Sequence, residues 1–368
     1  MGGNGLTLIC TFGLGGVPIG ISDVLLTSDS DDQDSDITLP TIGNILRVRQ
    51  YLDHSVTGLK RKVQPLAGGA FAWWAGDYVT CRKALQLIDQ MISTGASAWH
   101  VQCLLWSFEM EREDCAIIVA VPNQDGWAIA KGGTREHKQH PFSHLIIAGT
   151  GCEMALEVIQ ALNLGENPAD PHLLSLTAMS YGMHTMAFLL QQELTSGATI
   201  KKRFGAAYEV VGLSNSGLVS PKVLHVHLEA KVGLNGLVLS VYPVITHTMT
   251  DRDCLIVRTI ELSYDSTGCN LKEYRCSVIP PLFEQNDIPD KDDYKESCFT
   301  YEWVCITANL LIGSTNMLMA KAIYESSGLK TITLEKTSEG YLLGCHQARL
   351  KMIADWMKGK AASEGYEI

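Results

Sequence analysis

The stretch LTLICTFGLGGVPIGISD, residues 6–23, sets the architecture of this chain. TLICTF (7–12) is a short run of β-branched and apolar residues, which reads as a strand. GLGG (13–16) is turn chemistry, and VPIGISD (17–23) is the returning strand, so the chain is expected to open with a β-hairpin. Pro18 places that second strand near a sheet edge or places itself at a strand end, because proline cannot donate to a ladder. The preceding MGGNG carries no Lys or Arg, and the run is broken by glycines, so it does not read as a secretion signal or a bilayer span. Leu6 stands where a myristoylation motif has Ser or Thr.

Further along, LKRKVQPLAGGAFAWWAGD (59–77) reads as two short strands meeting at AGG. YVTCRKALQLIDQMI (78–92) follows with Val79, Ala84, Leu87, Ile88 and Met91 at helical spacing, and WHVQCLLWSFEME (99–111) reads as a second helix. CAIIVAVPNQDGWAIAKGG (115–133) is a hairpin around NQDG. HLIIAGTG (144–151) is a buried strand ending in a glycine turn, and CEMALEVIQAL (152–162) and LLSLTAMSYGMHTMAFLLQQEL (173–194) are helices. AAYEVVGLSNSGL (206–218) returns to strand. Strands and helices come in blocks, not in alternation. That predicts an α+β fold with two antiparallel sheets and helix layers outside them, rather than a doubly wound parallel sheet.

From about residue 221 the strands VLHVHLEAKV, GLVLSVYPVITHTM and CLIVRTIELSY, the acidic loop 284–297, apolar TYEWVCITANLLIG, KTITLEK and a final helix HQARLKMIADWMKGKAA form a second α+β region. The expected division is therefore 1–220 and 221–368.

Composition bounds the function. The 368 residues carry a net charge of −11, which excludes nucleic-acid binding through phosphate neutralisation. Neither a membrane span nor a nucleotide-cradling glycine loop is expected. The eleven cysteines contain no CxxC pair, which predicts reduced thiols and a cytoplasmic protein. SDSDDQDSD (28–36) lacks the Gly and terminal Glu of a calcium loop and reads as solvated. His137, His140 and His144 cluster in sequence without helical spacing, and His225 and His227 share one face of a strand, read as exposed alternation. No metal or cofactor is expected.

Taken in order, Thr7, the glycines Gly15 and Gly16, Asp23, Lys62 before Val63, AWWAGD (72–77) entering a helix, and GTG (149–151) entering another resemble proteasome β-subunits and their bacterial ring-peptidase relatives. These are N-terminal-nucleophile (Ntn) hydrolases. The resemblance covers residues 6–218 and implies a four-layer αββα sandwich. It also implies cleavage of peptide or other amide bonds by Thr7 after self-processing before that residue. Asp23 and Lys62 are then activators, Thr150 a proton relay, and Phe71, Trp73 and Trp74 line the substrate pocket and oxyanion site.

The chemistry behind these roles is general. A threonine hydroxyl needs a base, and a free α-amine titrates near neutrality. A lysine ammonium nearby depresses that amine's pKa, and an aspartate holds the lysine. Three departures keep a second reading open, that of an inactive proteasome-like subunit serving as a structural or partner-binding scaffold. The family's glycine before the nucleophile is displaced to Gly5, Trp73 occupies a family glycine position, and TSGATIKKRF (195–204) lacks the family's later acid. Lys60, Arg61 and Lys62 also read simply as a solvated basic trio. Self-assembly or a protein partner through the C-terminal region is expected on either reading.

Overall fold

A computed structural model describes residues 7–28, 37–44, 52–108, 115–124, 126–162, 168–214, 217–233, 236–265, 268–283, 287–295, 297–313, 315–325, 330–337 and 340–366. The segment MGGNGL (1–6) and residues 29–36 of the acidic loop fall outside these. The fold is α+β. It forms two compact units, one of Met1–Ser220 with Thr250–Ile256 and Val278–Pro289, the other of Pro221–Met249, Val257–Ser277 and Asp290–Ile368. Two segments far along the chain thus belong to the first unit.

In the first unit, β1 (Ile9–Leu14) and β2 (Val17–Asp23) make the expected hairpin, with Gly13 paired to Pro18 and Ile9 to Ser22. Gly15 and Gly16 turn it with φ of 54° and 84°, a conformation glycine reaches without a Cβ clash. Short strands β3 (Leu25–Ser28), β4 (Thr38–Leu39), β5 (Gly43–Asn44) and β6 (Ser55–Leu59) form two small ribbons, β3 with β6 and β4 with β5. β7 (Val63–Pro65) and β8 (Phe71–Gly76) join β9 (Cys115–Asn123) and β10 (Gly126–Gly132) in a four-stranded sheet ordered β10-β9-β8-β7. The strands β11 (Arg135–His137), β12 (Phe142–Ala148), β13 (Tyr208–Ser214) and β14 (Gly217–Val219) complete a six-stranded sheet ordered β11-β12-β1-β2-β13-β14. Pro18 lies in an interior strand, but β13 pairs only as far as Ile19, so the proline sits at the end of the ladder.

Helix α1 (Tyr78–Ser93) starts at Asp77, whose side chain accepts the Thr80 N–H at 2.8 Å. α1 and α2 (Ala98–Ser107) cover one face of the four-stranded sheet, burying Cys81, Ala84, Leu85, Ile88 and Val101 against Trp74, Ile117 and Val119. Of the apolar residues at helical spacing, Val79 and Leu87 do not join that core. Both are exposed, and Cys81 and Leu85 take their place. The opposite face of that sheet shares a core with Ile9, Ile146, Ala148 and Val211 of the six-stranded sheet, through Val63, Trp73, Ala75, Ile118 and Ala120.

Helices α3 (Cys152–Ala161), α4 (Pro171–Ser196) and the short α5 (Ala198–Lys201) follow β12. Gly182 of α4 lets that helix close on Ile19 and Val210, where a Cβ would meet side-chain carbons at 2.8 and 2.9 Å. α4 is long and apolar enough by composition to cross a membrane, but half of its apolar window is buried in the unit, as in a core helix.

The second unit is built on a six-stranded sheet ordered β18-β17-β16-β15-β19-β20. Its strands are β15 (Val223–Gly233), β16 (Gly236–Asp251), β17 (Cys254–Asp265), β18 (Gly268–Ile279), β19 (Trp303–Ile312) and β20 (Thr315–Tyr324). β15 and β19 pair in parallel. A ribbon of β21 (Ile332–Thr337) and β22 (Gly340–Cys345) and helix α6 (Gln347–Ser363) complete it. Ile353, Met357 and Ala361 of α6 share a core with Leu224, Val226, Val304 and Ile306.

Candidate active site

The β1–β2 hairpin brings the two ends of its own sequence together. Thr7 lies two residues before β1 and Asp23 ends β2, and the Asp23 N–H donates to the Leu8 carbonyl at 3.1 Å. The Thr7 hydroxyl donates to Asp23 Oδ1. Lys62, the residue before β7, reaches the same point from the other sheet. Its Nζ contacts Thr7 Oγ1, lies 3.5 Å from Asp23 Oδ1 and donates to the Leu25 carbonyl at 2.9 Å. All three side chains are at or below 1 % exposed.

Asp23 is held by backbone as well. Oδ1 accepts the Leu8 N–H at 3.0 Å, and Oδ2 accepts the N–H groups of Leu25 at 3.3 Å and Gly205 at 2.8 Å. Burial lowers the Lys62 pKa below the usual lysine range, opposed by the charge of Asp23. The site therefore combines a hydroxyl, an amine with a weakened hold on its proton, and a fixed carboxylate. That set can deprotonate an alcohol in a dry environment.

The glycine turn after β12 closes on the backbone of Thr7. Gly151 donates to the Thr7 carbonyl at 3.3 Å, and a Cβ on Gly149 would sit 1.8 Å from that oxygen. Thr150, between them, is exposed and makes no side-chain hydrogen bond among the described residues. Trp73 and Trp74 are both fully buried, on opposite faces of β8 as strand alternation requires. Trp73 fills the layer between the sheets and presses its ring edge on Gly20, where a Cβ would lie 2.1 Å from the indole. Trp74 faces α1, with its Nε1 donating to the Arg61 carbonyl at 3.1 Å and the Lys62 Nζ 5.4 Å from its ring centroid. Only Phe71 of the three aromatic positions reaches solvent, in part.

The solvated-trio reading of residues 60–62 is corrected: Arg61 and Lys62 are buried. Arg61 forks onto Glu209 through Nε at 2.9 Å and Nη2 at 2.6 Å, and its Nη1 donates to the Asp253 carbonyl at 2.8 Å. Pairing with a carboxylate from β13 is what makes burial of the guanidinium tolerable. The reading of His225 and His227 as exposed is corrected as well. Both are buried and share the Thr307 hydroxyl at 3.1 and 2.9 Å, and burial brings their pKa values to about 3 and about 4, so they are neutral core groups. His137 and His144 are partly buried and His140 is exposed. Among the described residues no group of three or more His, Cys, Asp or Glu side chains could hold a metal ion.

Sequence reasoning missed the Leu25 carbonyl and the Gly205 N–H, which complete the site. Backbone groups carry no residue-type signal, and only the glycine at position 205 marks the place. Compared with known proteins, the sequence matches no protein-family model and no curated relative.

Proposed function

We propose that the first unit is a four-layer αββα sandwich of the Ntn-hydrolase kind and that Thr7 is the nucleophile of a hydrolase acting on peptide or other amide bonds. The observation that carries this reading is the junction of Thr7 Oγ1 with Lys62 Nζ and Asp23 Oδ1, three residues far apart in sequence and buried together.

In the intact chain the Thr7 nitrogen is an amide and cannot act as base. Lys62, in the neutral form that burial favours, then takes the proton of Oγ1, and the hydroxyl oxygen adds to the Leu6 carbonyl carbon. The C–N bond breaks as the nitrogen gains a proton, leaving residues 1–6 as an ester on Thr7. Water hydrolyses that ester, releasing residues 1–6 and regenerating the Thr7 hydroxyl beside the α-amine that the shift has already freed. The mature amine, titrating near neutrality, serves as base for later substrates. Each substrate amide would follow the same course: attack by Oγ1, departure of the protonated amine, and hydrolysis of the acyl ester by water. Free thiols at all ten described cysteines support a reducing, cytoplasmic setting.

A second reading has one specific observation in its favour. Thr7, Trp73 and Trp74 are buried, as in a scaffold subunit without an open pocket. The test is the intact mass and N-terminal sequence of the purified full-length protein. A chain that begins at Thr7, with a Thr7→Ala variant that keeps its first six residues, supports the hydrolase. A wild-type chain that begins at Met1 or Gly2 overturns it in favour of the scaffold.

A further inference from the structure

Glu193 lies in the last turn of α4 and is completely buried. Its carboxylate faces four neutral donors and, among the described residues, no cation. Oε1 accepts the Thr41 hydroxyl. Oε2 accepts the Thr199 hydroxyl at 2.9 Å, the Ala206 N–H at 3.0 Å and the Tyr208 hydroxyl at 3.2 Å. A buried carboxylate without a counter-charge is costly, so its surroundings must hold it firmly.

The three donors to Oε2 bracket the turn that leads from α5 to β13, Thr199 before it, Ala206 within it and Tyr208 after it, while Thr41 comes from the β4–β5 loop. Three residues of the α5–β13 turn have positive φ: Arg203 at 68°, Gly205 at 119° and Ala206 at 68°. Two of them carry a Cβ, and each such residue costs about 1 kcal/mol in the left-handed region. The turn therefore needs external fastening. Glu193 Oε2 supplies it at three points and lies directly behind Gly205, where a Cβ would come within 2.1 Å of it. The opposite side of Gly205 faces the candidate centre: its N–H donates to Asp23 Oδ2 at 2.8 Å, and its carbonyl accepts the Val24 N–H at 3.2 Å.

We infer that Glu193 is a positioning residue for the Thr7 centre, acting through the Gly205–Ala206 turn to aim a backbone N–H at Asp23. The inference rests on the reading of Thr7 as nucleophile. Burial raises the Glu193 pKa to about 7 against the pull of its four donors, so the group can be neutral without leaving its place. Tyr208 is the titratable group in contact with it, with Asp23 beyond. When Glu193 is protonated, the Thr41 hydroxyl can turn to the Ala206 carbonyl, 3.2 Å away, and Oε2 keeps its three donors.

This makes the role one of hydrogen bonding rather than charge, and a glutamine should fill it. The experiment measures two quantities in full-length protein, far below the thermal midpoint: the first-order rate of release of residues 1–6, and hydrogen exchange at the Gly205 amide. In Glu193→Ala, release is expected to slow and Gly205 exchange to quicken, each by about tenfold, the equivalent of one lost hydrogen bond. Glu193→Gln is expected to restore both to within about threefold of wild type. An alanine variant with wild-type release and exchange, or a glutamine variant as defective as alanine, overturns the inference. If Glu193→Ala does not fold, Tyr208→Phe and Thr199→Val, each deleting one bond to Oε2, replace it, and unchanged Gly205 exchange in both overturns the inference. A wild-type chain that retains residues 1–6 overturns the nucleophile alone. Gly205 exchange then still decides whether Glu193 holds the turn.

Discussion

The Asp23–Lys62 pair makes an asymmetric prediction. Removing the aspartate should damage the fold far more than removing the lysine. Asp23→Ala leaves three buried N–H groups, those of Leu8, Leu25 and Gly205, without their acceptor. Each such loss costs about 1–3 kcal/mol. The substitution also leaves the Lys62 ammonium buried without its counter-charge, which costs about 3–5 kcal/mol when a buried pair is broken. The lysine limits that second cost by releasing its proton, which burial already favours. The three N–H groups alone amount to about 3–9 kcal/mol, and with the full lysine cost to about 6–14 kcal/mol, comparable with the whole stability of a typical domain.

Lys62→Met removes only one of Asp23's donors. The carboxylate keeps the Thr7 hydroxyl and three backbone N–H groups, and the methionine chain occupies the space beside Trp74. A cost of about 1–3 kcal/mol follows. The double variant adds a sign. Once the aspartate is gone the ammonium is a liability, so Asp23→Ala/Lys62→Met should be more stable than Asp23→Ala alone. Urea unfolding followed by tryptophan fluorescence reads this, since Trp73 and Trp74 lie fully inside the first unit. If Lys62→Met costs as much as Asp23→Ala, or the double variant is the sum of the singles, the backbone-anchored picture of Asp23 is refuted.

Three further outcomes are expected. Glu193, with a pKa of about 7 against an ordinary 4.5, binds its proton more tightly folded than unfolded. Its stabilising contribution is therefore full below pH 4.5 and is lost as pH rises to 7, so Glu193→Gln should gain about 3 kcal/mol over wild type between those limits and no more above them. Urea midpoints at pH 4.5 and pH 8 measure it, and a constant difference contradicts it. Gly149→Ala would drive a Cβ to 1.8 Å from the Thr7 carbonyl at φ 94°, whereas Gly69→Ala, at φ 76°, meets nothing within 4 Å. The first should cost about 3 kcal/mol or more and the second about 1 kcal/mol, read from the same unfolding curves. Iodoacetamide should label exposed Cys103 and Cys298 in the native protein and reach buried Cys10 and Cys305, whose thiol pKa values burial raises, only on unfolding, as peptide mass mapping would show.

What the sequence makes legible, and what it hides, follows from where the information resides. Strands that alternate or run apolar next to glycine turns, such as β1, β2, β9 and β10, carry their own signal. So does the Asp77 cap that starts α1. β18 and β20 do not. Both are the outer strands of the second unit's sheet, and an edge strand mixes polar and apolar residues on both faces. Val79 and Leu87 share the helical spacing and are nevertheless exposed, for a related reason. Apolar spacing fixes the period of a helix, but the face that turns inward is chosen by the sheet it lands on, here through Cys81, Ala84, Leu85 and Ile88.

The candidate site divides in the same way. Thr7, Asp23 and Lys62 are legible because their order in the chain resembles the Ntn-hydrolase pattern. The elements that hold them are not. Gly205 contributes an N–H that any residue owns, and it must be glycine because its φ is 119° and Glu193 stands behind it. Glu193 itself, in QQEL near a helix end, has the sequence appearance of a solvated residue. Its burial comes from Thr41, Thr199 and Tyr208, which reach it from three separate elements. Arg61 illustrates the same point from the other side. Adjacent charges in sequence suggest a solvated patch, but one strand register, Glu209 against Ser22, sets the carboxylate that takes Arg61 inward. Local pattern and chain order thus point to the candidate groups, and tertiary register decides which charges are buried beside them and which backbone donors they meet.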